Sequence, residues 1–234
     1  MINPLELTGK QILVAGALSE TGQAIVSQLK QLGARVVIID KIGEKPVEKE
    51  RVLKGKIKDF YDFDIYENSD IEFNIERIIK ECGVLNGFVY CAGIGGVRPI
   101  SLTKYAFISE MMNANLLSFI EIVRCITKKN RFSDGGSIVA LSSVSSIKGL
   151  KSKTAYCASK AALDASVRCM AAELSDRRIR VNSILKGWVL SDMKNDFIIS
   201  NMDLNEMNDL KKQLLGITEP VEVANTVAFL LSDA

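Results

Sequence analysis

Short runs of consecutive apolar residues alternate along the chain with longer segments in which apolar residues recur every three or four positions. The first pattern predicts buried strands, and the second predicts amphipathic helices. The predicted strands are Gln11–Ala15, Arg35–Ile39, Phe60–Phe63, Gly87–Tyr90, Ser137–Leu141 and Ile179–Leu185. The predicted helices are Gly22–Leu32, Asp70–Glu81, Thr103–Lys129 (as two helices), Thr154–Asp176 and Pro220–Leu231.

The alternation of continuous apolar strands with helices indicates a parallel sheet that is covered by helices on both faces. Crossover connections between parallel strands are right-handed. The sequence therefore predicts an α/β fold with a doubly wound, Rossmann-like parallel sheet in three α/β/α layers. The chain has 234 residues, which suits a single domain over residues 1–234.

Composition and charge narrow the class of protein. The chain is 47% hydrophobic and 25% charged, and its net charge of +2 comes from 30 basic and 28 acidic residues. This balance predicts a globular protein with no nucleic-acid partner. Five cysteines without a CxxC pair indicate reduced thiols and a cytoplasmic location. No apolar stretch approaches the roughly 20 residues of a membrane span, so we expect no membrane partner.

The chain contains no histidine. This absence excludes the Ser-His-Asp hydrolases, the Cys-His proteases and histidine-bearing zinc sites, and we expect no metal. An acid/base catalyst in this chain must be a tyrosine, lysine, aspartate, glutamate or cysteine.

A glycine turn, Gly16-Ala-Leu-Ser-Glu-Thr-Gly22, joins the first predicted strand to the first predicted helix. Gly16 permits a sharp turn and Gly22 permits close helix packing, so that backbone N–H groups and the helix N-terminus point at a pyrophosphate. Asp40 closes the second strand 18 residues after Gly22. A carboxylate there accepts hydrogen bonds from the ribose hydroxyls of NAD and repels the 2′-phosphate of NADP. The pattern predicts a dinucleotide site that prefers NAD(H) over NADP(H).

A second group of residues carries candidate chemistry. Ser142 and Ser143 close the fifth predicted strand, and Tyr156 and Lys160 share one helix face because they are four residues apart. A tyrosine with a pKa of about 10 exchanges protons poorly at neutral pH. A nearby ammonium favours the phenolate and brings this pKa towards the operating range. A seryl hydroxyl can hold a substrate carbonyl where its charge develops.

Along nearly its whole length the sequence resembles the short-chain dehydrogenase/reductase family. The matching stretches are Val14-Ala-Gly-Ala17 with Gly22, Asp40, Asp64-Ile65, Cys91-Ala-Gly93, Asn115-Leu116, Gly136-Ser-Ile-Val139, Ser142-Ser143, Tyr156–Lys160, Ile179-Arg-Val-Asn182 and Gly187-Trp-Val189. The 13-residue interval from Ser143 to Tyr156 is common in this family and selects Ser143 over Ser142.

The resemblance implies roles for individual residues. Tyr156 would be the general acid/base, Lys160 would hold the nicotinamide ribose and lower the tyrosine pKa, and Ser143 would orient the substrate oxygen. Asn115 would keep a water of a proton relay that reaches Lys160. The implied cofactor-binding residues are Gly16, Ser19, Thr21, Gly22, Asp40, Asp64, Ile65, Ala92, Gly93, Tyr156, Lys160, Gly187, Val189 and Ser191.

The sequence also departs from the family pattern. Glu20 stands where the family usually has the middle glycine of the turn, near the expected pyrophosphate. Tyr90-Cys91 replaces an Asn-Asn pair that ties the fourth strand to its neighbours. Lys186 replaces a proline and puts a cation near the nicotinamide or an anionic substrate. Family members continue past the position of Ala234 into another strand, so the sheet here could lack its last edge strand.

Two further stretches of the sequence concern the substrate and the oligomeric state. Residues 190–217 occupy the place of the family's substrate lid. The helices near 103–129 and 154–176 carry more apolar and small residues than one core face needs, which predicts a homodimer or homotetramer.

Two functions remain open. One is an NAD(H)-dependent oxidoreductase that interconverts a small-molecule alcohol and ketone, with a 3-oxoacyl thioester as one candidate substrate. The alternative is a catalytically silent NAD-binding regulatory or structural subunit.

Overall fold

Six strands form one parallel sheet in the computed structural model, which describes residues 3–42, 59–66, 70–190, 210–211 and 213–234. The order across the sheet is β3-β2-β1-β4-β5-β6. The strands are β1 (Gln11–Ala15), β2 (Arg35–Asp40), β3 (Phe60–Asp62), β4 (Leu85–Tyr90), β5 (Phe132–Ser143) and β6 (Arg180–Lys186). Within the described residues β3 and β6 are the two edges. The chain therefore reverses its direction of winding between β1 and β4, where Rossmann-like sheets bind ligands.

Six α-helices connect or cover these strands in the described residues. They are α1 (Glu20–Gln31), α2 (Ile71–Cys82), α3 (Tyr105–Met112), α4 (Ser118–Ile126), α5 (Thr154–Glu173) and α6 (Pro220–Leu231). A π-helical segment, Asn113–Leu117, joins α3 to α4 without a loop. The stretch that the sequence predicts as two helices is therefore one helical rod with a widened turn.

Each face of the sheet carries its own apolar core. On one face, Phe88 of β4 packs with Phe119 of α4 and Leu163 of α5. On the other face, Val14 of β1 packs with Ile25 of α1 and Val227 of α6. All of these side chains are fully buried, because strand residues alternate between the two faces and both faces are covered. The predicted three-layer, doubly wound fold is confirmed.

The helix ends next to the sheet follow from local sequence signals. Ser19 caps α1 by accepting a hydrogen bond from the Gly22 amide, at 3.0 Å, so the helix begins two residues before the predicted start. Glu219 and Glu222 form a capping box at α6, and Pro220 occupies its first turn.

The helical stretch Tyr105–Ile126 corrects the expectation that no segment reaches the length of a membrane span. Its 22 residues are long and apolar enough to cross a membrane by length and composition alone. However, Phe119, Ile122 and Ile126 on this stretch are fully buried in the core. We therefore interpret it as a core helix.

Candidate active site

The turn between β1 and α1 forms a cradle that only glycine permits. Gly16 has a φ of +83°, and a Cβ atom added there would lie 2.4 Å from the amide nitrogen of Ala92. A Cβ atom added at Gly22 would lie 2.4 Å from the carbonyl oxygen of Gly16. The Ser19 hydroxyl holds the turn by donating to that same carbonyl, at 3.2 Å. Because Gly16 and Gly22 have no side chains, the backbone of the turn stays uncovered at the N-terminus of a 12-residue helix. Such a backbone fits the pyrophosphate of a dinucleotide.

Asp40 lies beside this cradle at the end of β2. Its Oδ2 accepts a hydrogen bond from the Leu18 amide in the glycine turn, at 2.7 Å, and its Oδ1 accepts one from the Lys41 amide, at 2.8 Å. A carboxylate has about four acceptor positions, so it can accept more hydrogen bonds than these two. The Lys41 ammonium donates to Asp64, at 2.7 Å. Asp40 and Asp64 therefore lie at one edge of the site, and Ile65 is buried beside them.

Gly93, Asn115 and Lys160 come together beyond the end of β4. A Cβ atom added at Gly93 would lie 2.6 Å from Asn115 Oδ1 and 3.5 Å from Lys160 Nζ. Asn115 is fully buried. It accepts from the Ile94 amide at 2.9 Å and donates to the Ile94 carbonyl at 3.0 Å.

Ser159 completes this arrangement, although the sequence reasoning assigned it no role. Its hydroxyl accepts a hydrogen bond from Asn115 Nδ2, at 2.9 Å, and donates to the Tyr156 carbonyl, at 2.8 Å. Asn115 on the π-helical segment is thereby connected to the first turn of α5. The signal was present in the sequence, since Ser159 immediately precedes Lys160, but its partner is 44 residues away.

Ser143 and the Lys160 ammonium both lie near the end of β5. The Lys160 ammonium donates to the Leu141 carbonyl, at 2.9 Å, and its side chain is almost fully buried. Ser143 Oγ accepts from the Ser145 amide and donates to the Ser145 hydroxyl, both at 3.1 Å. Tyr156 lies one helical turn before Lys160 on α5 and is partly exposed. Three of the four predicted catalytic side chains are therefore buried, whereas the tyrosine is one that solvent or substrate can reach.

Burial lowers the pKa of Lys160 to about 8. The positive charge of Lys186, at the end of β6, lowers it further, whereas the carboxylate of Asp164 raises it. Register explains the effect of Lys186, because this residue pairs with Ser143 across β5 and β6. Lys186, which stands in place of the family's proline, therefore lowers the pKa of the predicted catalytic lysine.

The structure corrects the expectation that Tyr90-Cys91 loses the ties of β4 to its neighbours. The fully buried Tyr90 hydroxyl donates to the Ala114 carbonyl in the π-helical segment, at 2.6 Å. The Cys91 thiol donates to the Ala15 carbonyl at the end of β1, at 2.9 Å. Burial raises the pKa of both groups, so both remain protonated donors at neutral pH.

The remaining predicted site residues have varied positions. Glu20 is the exposed first residue of α1, whereas Thr21 and Ala92 are buried. Val189 is fully buried in the core beneath α1 and α6, and a Cβ atom added at Gly187 would lie 2.7 Å from Gln213 Oε1. Ser191 and most of the predicted lid, residues 190–217, lie outside the described residues.

Glu72, Glu121 and Cys125 place potential metal-ligand atoms within 4.8 Å of one another. Arg124 donates to both carboxylates, and Lys128 pairs with Glu72. These pairings hold the pKa of Glu72 well below its usual range, at about 2. The arrangement is a surface ion-pair network, because its negative charge is already compensated by side chains.

Comparisons with known proteins agree with this architecture. The family model described as "Enoyl-(Acyl carrier protein) reductase" matches residues 16–234. An L-xylulose reductase of Caenorhabditis elegans is 32% identical, over 97% of this chain and 90% of that protein. A 3-oxoacyl-[acyl-carrier-protein] reductase of Rickettsia felis is 31% identical, over 98% of this chain and 92% of that protein.

The fold is also shared with a solved dehydrogenase/reductase from Sinorhizobium meliloti 1021. The TM-score is 0.86 at 24% identity, and the match covers 98% of this chain and 90% of that one. The chain belongs to the short-chain dehydrogenase/reductase family. It is therefore an oxidoreductase that acts on CH–OH or carbonyl groups with NAD or NADP, and the predicted enzyme class is confirmed.

Proposed function

We propose that this enzyme interconverts a small-molecule alcohol and ketone, with Ser143, Tyr156, Lys160 and Asn115 as its catalytic set. The observation that carries the proposal is that Lys160 Nζ and Asn115 Oδ1 both lie within 3.5 Å of a Cβ atom added at Gly93, with Lys160 one helical turn from Tyr156. A bound nicotinamide cofactor would supply the hydride chemistry at the substrate carbon. The side chains of this protein have to hold the substrate oxygen and move one proton.

In the direction of reduction, Tyr156 donates its phenolic proton to the substrate oxygen while Ser143 hydrogen-bonds that oxygen. The Lys160 ammonium has three N–H donors, of which the Leu141 carbonyl accepts one. The other donors are available for a nicotinamide ribose hydroxyl and for a water held near Asn115. The positive charge of Lys160 stabilises the phenolate that remains after proton transfer.

Tyr156→Phe tests the assignment because it keeps the ring and removes only the hydroxyl. Turnover should fall by about 10²–10⁴-fold, the usual effect of losing a general acid/base, while NADH affinity and thermal stability stay near those of the wild type. Lys160→Ala should weaken both NADH binding and turnover, since it loses the ribose contact as well. Turnover that survives Tyr156→Phe would remove the tyrosine from the mechanism.

We further propose that NAD(H) is preferred over NADP(H), because Asp40 brings a negative charge to the ribose edge of the cradle. A carboxylate about 5 Å from a 2′-phosphate costs about 1.5 kcal/mol even in bulk-like dielectric, or roughly tenfold in affinity. Asp40→Asn keeps an acceptor for the Leu18 amide and removes the charge, so it isolates this effect. The ratio of NADH to NADPH affinity, measured by fluorescence titration, should fall by about tenfold. An unchanged ratio would refute the role of the carboxylate.

An apolar acyl substrate such as a 3-oxoacyl thioester suits the rim of the site. Ile100 and Leu102 follow β4, Ile147 follows β5, and all three are more than 60% exposed. The Arg98 amide donates to the Ser152 carbonyl, at 2.7 Å, and so connects the two loops. Initial rates should rise with acyl length across a series of 3-oxoacyl thioesters and should exceed those for short ketones. Equal rates across the series would argue against a binding surface for the acyl chain.

We also propose a cytoplasmic homodimer or homotetramer that forms through the helical rod and α5. Exposed Tyr105 and Leu117 lie on the rod. The outer face of α5 includes small exposed residues such as Ala161 and Ala165, and small residues permit close approach of a second helix. Ala165→Arg should reduce the mass measured by light scattering. All five cysteines are free thiols, which suits a reducing compartment.

A further inference from the structure

Asp164 continues the catalytic face of α5 by one more turn. Tyr156, Lys160 and Asp164 follow one another at intervals of four residues, so their side chains are neighbours on the helix. Lys160 is 6% exposed and Asp164 is 7% exposed. Within the part of the chain that the structure describes, neither carboxylate oxygen of Asp164 has a hydrogen-bond partner, and both are buried.

A buried carboxylate without hydrogen-bond donors is costly unless an opposite charge is close. The Lys160 ammonium is also buried, and within the described residues its hydrogen bond goes to the neutral Leu141 carbonyl. A buried ammonium is subject to the same penalty. The two groups lie about one helical turn apart, where opposite charges attract each other through a low dielectric.

The other groups around Lys160 do not supply this negative charge. Asn115 and the Leu141 carbonyl are uncharged, and Tyr156 is the titratable neighbour on the same helix. Lys186 approaches from β6 with a second positive charge, which opposes protonation of Lys160, whereas Asp164 favours it. Among the described groups that act on the lysine charge, Asp164 is the anionic one.

We propose that Asp164 is a positioning residue whose carboxylate keeps Lys160 protonated in the working pH range. It acts through Lys160 and does not touch the substrate or the cofactor. The consequence for catalysis rests on the role given to Lys160 in the proposed function. The electrostatic claim itself concerns only the protonation of Lys160 and can be measured without any turnover.

The direct test is an NMR titration of protein that carries ¹³C-labelled lysine, with the Lys160 resonance assigned by its loss in Lys160→Arg. Asp164→Asn should lower the pKa of Lys160 from its wild-type value by about one unit, as expected for the loss of a nearby opposite charge. Glu173→Gln is the matched control, because it removes the same charge from the exposed end of α5. A Lys160 pKa that is the same in wild type, Asp164→Asn and Glu173→Gln would overturn the inference.

Asp164→Leu provides a second variant if the asparagine disturbs folding, because an apolar side chain can replace a buried charge without an unmet hydrogen bond. It should shift the Lys160 pKa in the same direction. If the Lys160 pKa shifts in neither variant, the inference is overturned.

The pH profile of carbonyl reduction then tests the link to catalysis. A fall of one unit from a pKa of about 8 reduces the protonated fraction of Lys160 by about tenfold at pH 9 but only slightly at pH 6. The alkaline limb of kcat should therefore move to lower pH in Asp164→Asn, with turnover retained at pH 6. If the Lys160 pKa falls but the profile stays in place, the electrostatic inference holds and the proposed role of Lys160 is wrong.

Discussion

The hydroxyl of Tyr90 should support both the stability of the fold and the position of Asn115. It is fully buried and donates to the Ala114 carbonyl, at 2.6 Å, inside the π-helical segment. The Ser118 amide, which would serve this carbonyl in an α-helix, donates to Asn113 instead. Tyr90→Phe therefore removes a donor that a regular helix would not need.

The size of the effect follows from burial. Phenylalanine keeps the ring contacts. The centroid of the Tyr90 ring lies 6.3 Å from that of Phe88 and 5.4 Å from that of Phe119. The loss is then that of one hydrogen bond to a buried carbonyl, about 1–3 kcal/mol. Ala114 directly precedes Asn115, so release of this carbonyl should also loosen the bonds from Asn115 to Ile94 and lower kcat.

Equilibrium urea unfolding and steady-state kinetics of Tyr90→Phe measure the two effects separately. Tyr61→Phe is the matched control, because Tyr61 lies on β3 at the far edge of the sheet. The Tyr61 hydroxyl donates to Glu81, at 2.7 Å. Both variants should lose stability, but only Tyr90→Phe should lose turnover. A Tyr90→Phe enzyme that is within about 0.5 kcal/mol of wild type, or that matches Tyr61→Phe in kcat, would refute this reasoning.

Two further predictions concern the glycine turn. Glu20 is exposed on the first turn of α1. Glu20→Gly should therefore change NADH affinity in titrations by less than about threefold, the effect of one solvent-screened charge. A much larger gain in affinity would mean that the carboxylate opposes the pyrophosphate. Gly16→Ala should destabilise the enzyme by well over the ~1 kcal/mol of a strained positive φ, because its Cβ would also lie 2.4 Å from the Ala92 amide nitrogen. Gly95→Ala, which meets nothing within 4 Å, should be nearly neutral in the same unfolding assay.

The fold was largely predictable because the central strands β1, β2 and β4 are mostly buried apolar runs and helices such as α1 and α2 have a clear apolar periodicity. β5 was the main exception, since it begins at Phe132 and the sequence predicted Ser137. Gly135 and Gly136 resemble a turn in sequence. In the structure this stretch is strand, and the pairing of β4 with β5 shifts register between Leu85 and Gly87, which no local pattern announces.

The π-helical segment at Asn113–Leu117 could not be predicted for a related reason. A widened turn inside an apolar helix changes the hydrogen bonds but leaves the alternation of apolar and polar residues almost unaltered. Two hydroxyls support the segment. That of Tyr90 donates to the Ala114 carbonyl, and that of Ser118 donates to the Asn113 carbonyl. These contacts depend on the packing of β4 against the helix, so sequence spacing does not reveal them.

The two residues at the end of β4 show why a departure from a family pattern is a weak argument for loss of function. Judged by side-chain type, Tyr90 and Cys91 replace two amides with an aromatic ring and a thiol. Judged by hydrogen bonds, the end of β4 is still tied to β1 through the Ala15 carbonyl and to the π-helical segment through the Ala114 carbonyl. The ring of Tyr90 also packs against both Phe88 and Phe119 and fills space that a shorter amide would leave open. Tyrosine and its aromatic neighbours thus form one packing unit, and this unit positions Asn115 by a route that the family motif alone does not contain.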